Sequence, residues 1–153
     1  MVVSFAVLGT PQGKARPRFT KDGHVYTPQK TVEYQGKIAA RYWKALADKG
    51  QTLTEEAKTA DIRIIIEAVF AVPKSDSKQT RADKLAGKVK PRVKPDADNI
   101  AKAVLDALNG FAYYDDAQVT RLEVNKVYGE TPGIVCHIIH NTRGEDDAAG
   151  IIL

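Results

Sequence analysis

The chain has 153 residues, enough for one domain with its own core and too few for two ordinary ones. Hydrophobic residues at 43% and charged residues at 27% exclude a disordered or fibrous chain, and the single cysteine, Cys136, excludes an internal disulfide framework. The formal charge of +4 is concentrated in two places: eight cations against two acids from Lys74 to Lys94, and five against one from Gln12 to Lys30.

No run approaches the ~18 apolar residues of a membrane span, and the start, Met1-Val2-Val3-Ser4-Phe5, lacks the pattern of a secretory leader. A cytoplasmic protein is therefore expected. Two basic segments on an otherwise acidic body point to a polyanionic partner, although each segment is also compatible with a solvated loop.

Val2 to Leu8 is apolar and β-branched and predicts a strand. Gly9 to Asp22, rich in Gly, Pro and cations, predicts a loop or hairpin arm. Thr27-Pro28 predicts a helix start, with Thr27 as cap. Val32, Ala39, Tyr42, Trp43 and Leu46 then form its apolar face, and Gly50 ends it. Asp61 to Val72 is the strongest strand pattern in the chain. Pro73 to Pro95 reads as a long basic loop without periodicity.

Asp98 to Leu108 predicts a second helix. Ile100, Ala103, Val104, Ala107 and Leu108 share one face, with Asp98, Lys102 and Asp106 opposite; Leu105 falls on the polar side. Asn109-Gly110 stops this helix. Val119 to Tyr128 and Gly133 to His140 predict two strands joined by a turn. Cys136 lies in an alternating apolar run and reads as a core thiol. The expected fold is α+β: one small domain, residues 1–140, with a mixed sheet and two main helices on one side. Residues 141–153 are expected to form a flexible tail.

The chemistry concentrates in Lys94-Pro95-Asp96-Ala97-Asp98-Asn99 and in Tyr114-Asp115-Asp116-Ala117-Gln118. In an extended segment, residues two apart point the same way, so Asp96 and Asp98 can aim at one spot before the helix. A return link from Asn109 to Tyr114 can bring Asp116 beside them. Three carboxylates make a hard oxygen site suited to Mg²⁺ rather than to zinc. The competing structural reading makes Asp98 an N-cap and Asp115-Asp116 a turn. Lys102, one turn after Asp98, can reach a phosphate held there. The three histidines add no ligand spacing, and no phosphate-cradling glycine motif occurs, so no small-molecule cofactor is expected.

Lys94 to Val119, KPDADNIAKAVLDALNGFAYYDDAQV, resembles the core motif of RusA-type Holliday junction resolvases. The matching features are Asp96-Ala97-Asp98-Asn99, Lys102, Asp106-Ala107-Leu108 and Asp115-Asp116-Ala117-Gln118. Gly9 to Thr20, GTPQGKARPRFT, resembles the phage and prophage branch of that family. The resemblance implies a homodimer that nicks four-way junction DNA symmetrically with Mg²⁺ or Mn²⁺. It implies catalytic roles for Asp96, Asp98, Asp116 and Lys102, with the metal on the three aspartates and Asp115 as a further candidate ligand. The expected DNA contacts are Lys14, Arg16, Arg18, Lys88, Lys90, Arg92 and Lys94. The alternatives are a junction-binding protein without cleavage, and a different Asp-x-Asp enzyme acting on nucleotides.

Overall fold

The computed structural model describes residues 1–142. In chain order its elements are strand β1 (Val2–Leu8), the short strands β2 (Arg18–Phe19) and β3 (Val25–Tyr26), and helices α1 (Gln29–Asp48) and α2 (Glu55–Thr59). Strand β4 (Asp61–Ala71), helices α3 (Lys78–Leu85) and α4 (Ala97–Leu108), and strands β5 (Val119–Gly129) and β6 (Gly133–Asn141) follow. One sheet has the order β1-β6-β4-β5, and β2 pairs with β3 in a separate hairpin. β4 and β5 run parallel while β6 is antiparallel to both β1 and β4, so the sheet is mixed.

Strand alternation decides which face is buried. Val3, Phe5 and Val7, then Ile62, Ile64 and Ile66, then Ile134, Cys136 and Ile138 all belong to one core cluster. α1 and α4 pack together and cover this face, α1 against β1 and α4 against β5. Ile62, Ile64, Ile66, Ile134 and Ile138 lose all solvent contact, and each such side chain contributes about 1.5–3 kcal/mol of burial. Cys136 is buried with them, which pushes its thiol up to about 12 and leaves it an inert core group. The expected single α+β domain is thus observed.

Three expectations need correction. The first concerns α1, which begins at Gln29 with Pro28, not Thr27, in the cap position and no side-chain cap bond. Its buried stripe is Thr31, Tyr34, Ile38, Tyr42 and Leu46, whereas Val32 and Trp43 are exposed. Tyr42 and Leu46 stay on the buried side as expected, and the Tyr42 hydroxyl is satisfied inside: it lies 2.9 Å from Nε2 of buried His140. The Nδ1 of that ring is 2.9 Å from the Ala57 carbonyl, which can only accept, so Nδ1 carries the proton and the Tyr42 hydroxyl donates to Nε2. Trp43 instead packs edge-on against Tyr42 from outside.

The second correction concerns Pro73 to Pro95, which is not structureless. Ser77 caps α3 by accepting from the Thr80 amide, and Lys84 fastens the segment through an ion pair to Asp76 at 2.6 Å and a contact over the Tyr128 ring. The third concerns the second main helix. It starts one residue earlier than expected, and Asp96 rather than Asp98 occupies its N-cap. α2 had no sequence signal strong enough to be expected. The C-terminal tail, from residue 143 on, lies outside the described residues. Among the described residues no helix is long and apolar enough to cross a membrane.

Candidate active site

The site is built on the polar face of α4. Its opposite face carries Ile100, Ala103, Val104, Ala107 and Leu108, all buried, which fixes the helix rotation. Asp98, Lys102 and Asp106 then recur every fourth residue along the accessible side, each step about 6 Å along the axis. Leu105, the apparent exception on that side, is partly buried against the core. At the N-terminal end, the Asp96 carboxylate makes no capping bond; it faces Lys94 Nζ at 3.1 Å in an exposed pair. Asp98 is also exposed.

At the other end the chain folds back on the helix. Gly110 takes a left-handed φ of +78°, open to glycine at little cost, and its amide donates to the Tyr113 carbonyl at 2.9 Å. Tyr113 is completely buried, and its hydroxyl donates to the Leu105 carbonyl at 2.9 Å. Asp115 then caps a single 3₁₀ turn, Asp116–Gln118, by accepting from the Ala117 amide. Gln118 is the fastener of this turn. Its side-chain oxygen accepts from the amides of Tyr114 and Asp115, and its side-chain amide donates to the carbonyls of Lys58 and Ala60. One side chain thereby ties the Asp-Asp turn to the α2–β4 connection.

This return places Asp116 against the lower half of the α4 polar face. Loss of solvent raises its pKa above the usual carboxylate value, the negative charges of Asp106 and Asp115 add to the rise, and the Lys102 ammonium and the nearby Tyr113 side chain oppose it. One oxygen, Asp116 Oδ1, is buried without a hydrogen-bond partner among the described residues. Asp106 is held between two cations: Lys14 forms an ion pair with its Oδ2, and Lys102 Nζ lies 3.5 Å from its Oδ1.

Asp116 is therefore grouped with Lys102 and Asp106, while Asp96 faces Lys94. Among the described residues no three His, Cys, Asp or Glu side chains converge into a complete metal cage. Asp115, a candidate ligand from the sequence, is engaged as a turn cap. Asp106 is the carboxylate that sequence reasoning assigned no role, although its spacing from Asp98 and Lys102 carried the signal. Lys14 is an expected DNA contact, and nothing local in the sequence marks it as the partner of a residue 92 positions away.

Lys14 arrives there because the arm lies along α4. Its amide donates to the Asn99 carbonyl at 3.0 Å. Gly13 permits the approach: a Cβ at this position would stand only 2.8 Å from Asn99 Cβ. Between arm and helix opens a cleft of about 490 Å³ lined by Lys14, Arg18, Lys30, Lys94 and Asn99. Arg16, Arg18, Lys88, Lys90, Arg92 and Lys94 are all exposed. The basic surface thus reaches the acidic site from both flanking segments.

The family model for endodeoxyribonuclease RusA matches residues 9–139. The chain belongs to the RusA family. The match runs from the arm to the last strand and takes in every residue of the site. The chain is also 33% identical over 135 residues to the uncharacterized protein YqaN of Bacillus subtilis (strain 168), covering 86% of this chain and 92% of that one. As a RusA family endodeoxyribonuclease, it carries its acidic groups where α4 and the Asp-Asp turn meet.

Proposed function

We propose that this protein resolves Holliday junctions as a homodimer, each subunit nicking one strand by metal-assisted hydrolysis. The observation that carries the reading is the buried, unpartnered Asp116 Oδ1 beside Lys102. A carboxylate oxygen taken out of water without a donor is costly unless a cation completes it. The donor set fits Mg²⁺, which needs only one or two carboxylates because it shares its remaining positions with water and substrate phosphate. Asp116 would hold it through that oxygen, and Asp98 and Asp96, nearer the N-terminal end of the same helix face, would have to close on the ion as DNA binds; Mn²⁺ meets the same oxygen donors. The ion supplies a polarised phosphoryl oxygen and an activated water.

The chain's own groups do the rest. Lys102 is more than half exposed and only loosely held by Asp106, so its ammonium is available to the negative charge of the departing oxygen. Lys88, Lys90, Arg92 and Lys94 on one side, and Arg16 and Arg18 on the other, supply phosphate contacts that position DNA without reading its sequence. A two-fold dimer matches a four-way junction, which presents two equivalent strands.

The test uses a labelled four-way junction and a matched linear duplex, each with Mg²⁺ or EDTA, and compares wild type with Asp98→Asn. Paired nicks in the junction alone, dependent on Mg²⁺ and lost in the variant, are the expected result. Tight junction binding without any nick would replace the nuclease reading with that of a binding protein.

A further inference from the structure

The hairpin formed by β2 and β3 carries a surface that the proposed nuclease chemistry does not use. Phe19 is 71% exposed, Val25 60% and Tyr26 45%. Phe19 and Val25 sit directly opposite each other across the two strands, and Tyr26 sits opposite Arg18. The projection is a formed element. The Thr20 amide donates to the His24 carbonyl at 2.8 Å, the Gly23 amide to the Thr20 carbonyl at 3.0 Å, and the His24 amide to the Thr20 hydroxyl at 3.1 Å. Gly23 adopts a φ of +81°, which closes the turn. The segment therefore presents Phe19 with Val25 on one face of a short, tied ribbon, and Tyr26 with Arg18 on the other.

The charges around those rings select the occupant. Arg16, Arg18, Lys21 and Lys30 flank them, with Asp22 the only acid from Gln12 to Lys30. Arg18 and Lys30 also line the basic cleft that leads to α4. A second copy of the chain docked face to face on this hairpin would bring two sets of these cations together. A polyanion instead neutralises them. Exposed rings interleaved with cations are the composition that binds unpaired bases: the bases stack on the rings while the cations follow the backbone. Fully paired duplex offers no free base face to a side chain, so the rings discriminate between substrates only where bases are unstacked.

We propose that Phe19, with Val25 beside it on one face of the hairpin, forms a stacking surface for unpaired bases at the branch point of the DNA junction. The inference rests on the junction reading above and names the part of the substrate that the hairpin touches. Phe19, being exposed, can be replaced without loss of the fold.

The experiment measures binding of the full chain in EDTA to a four-way junction and to a linear duplex, for wild type, Phe19→Ala and Phe19→Trp. Melting temperature and sedimentation mass are measured on the same samples. Phe19→Ala is expected to lower junction affinity by roughly 5- to 100-fold, with duplex affinity, salt dependence, melting temperature and mass unchanged. Phe19→Trp is expected to retain junction affinity. Equal junction affinity for wild type and Phe19→Ala overturns the platform, and leaves the nuclease reading standing if wild type still nicks junctions. A smaller sedimentation mass or a melting temperature several degrees lower in Phe19→Ala overturns it too, since Phe19 would then be covered by protein. A wild type with no junction preference removes both readings together.

Discussion

The two ends of α4 carry carboxylates from one short motif, yet their surroundings are opposite. Asp96 and Asp98 at the N-terminal end are exposed, and Asp96 pairs with Lys94 in water. Asp116, at the other end, is partly desolvated, close to the charge of Asp106, and has one oxygen without a partner among the described residues. Water screens charges at the first end, so carboxylates there cost little and contribute little to stability. At the second end the same chemical group is held at a cost, which a bound cation would relieve. The basic segments differ in a similar way: Lys84 is committed to Asp76 and Tyr128, whereas Arg16 and Arg18 are exposed.

The largest expected effect treats both ends alike. Asp98→Asn and Asp116→Asn should each reduce junction nicking by roughly 1,000-fold or more, with junction binding in EDTA nearly unchanged. Retained nicking in either variant would break the idea of one shared site.

The two basic segments should separate under salt. Arg16→Gln and Arg18→Gln should each reduce the slope of log affinity against log salt by about 1. Lys84→Gln should leave that slope alone and lower the melting temperature instead. A reduced slope in Lys84→Gln would mean that its ion pair opens on DNA.

The Lys14–Asp106 pair should be measurable as a coupling. Lys14→Gln should lower the melting temperature by roughly 2–4 °C, because it leaves a partly buried carboxylate beside Asp116. Asp106→Asn on that background should restore much of the loss, as a double-mutant cycle would show. Additive losses would make the contact energetically silent.

The smallest effect distinguishes the two ends of α4. Asp116 has a raised pKa in the folded protein, so its folded form binds a proton more readily than its unfolded form. Ionising it therefore destabilises the fold, and that cost grows as pH rises through the carboxylate range. Metal-free Asp116→Asn should melt roughly 1–3 °C above wild type at neutral pH, with the difference vanishing at low pH. Asp96→Asn should show no such gain. A gain at Asp96 instead would place the buried charge at the wrong end.

Much of this was legible from local pattern. The apolar, β-branched runs Val2 to Leu8, Asp61 to Val72 and Gly133 to His140 marked the strands, because such side chains fit a pleated, buried surface. The apolar stripe from Ile100 to Leu108 gave the rotation of α4 and hence the shared side of Asp98, Lys102 and Asp106. Local pattern failed where a long-range partner changed the balance. Val32 and Trp43 resemble core residues as well as Tyr34 and Ile38 do. The choice fell to the tertiary partners: α1 packs against β1 and α4, and the side facing them carries Tyr34 and Ile38. α3 escaped notice because it buries no side chain fully and is held by a cap and one ion pair.

The sequence by itself determined the α+β architecture, the family and the set of groups able to do the chemistry, because periodicity and motif are properties of neighbouring residues. Only the tertiary structure decided how those groups are shared out. Lys14 goes to Asp106, Asp115 to a cap, Gln118 to the α2–β4 connection, and among the described residues Asp116 has no donor for its buried oxygen. The physical reason is that hydrogen bonding and desolvation depend on which surfaces meet, and residues up to 92 positions apart meet only when the arm lies on α4 and the turn folds back against it.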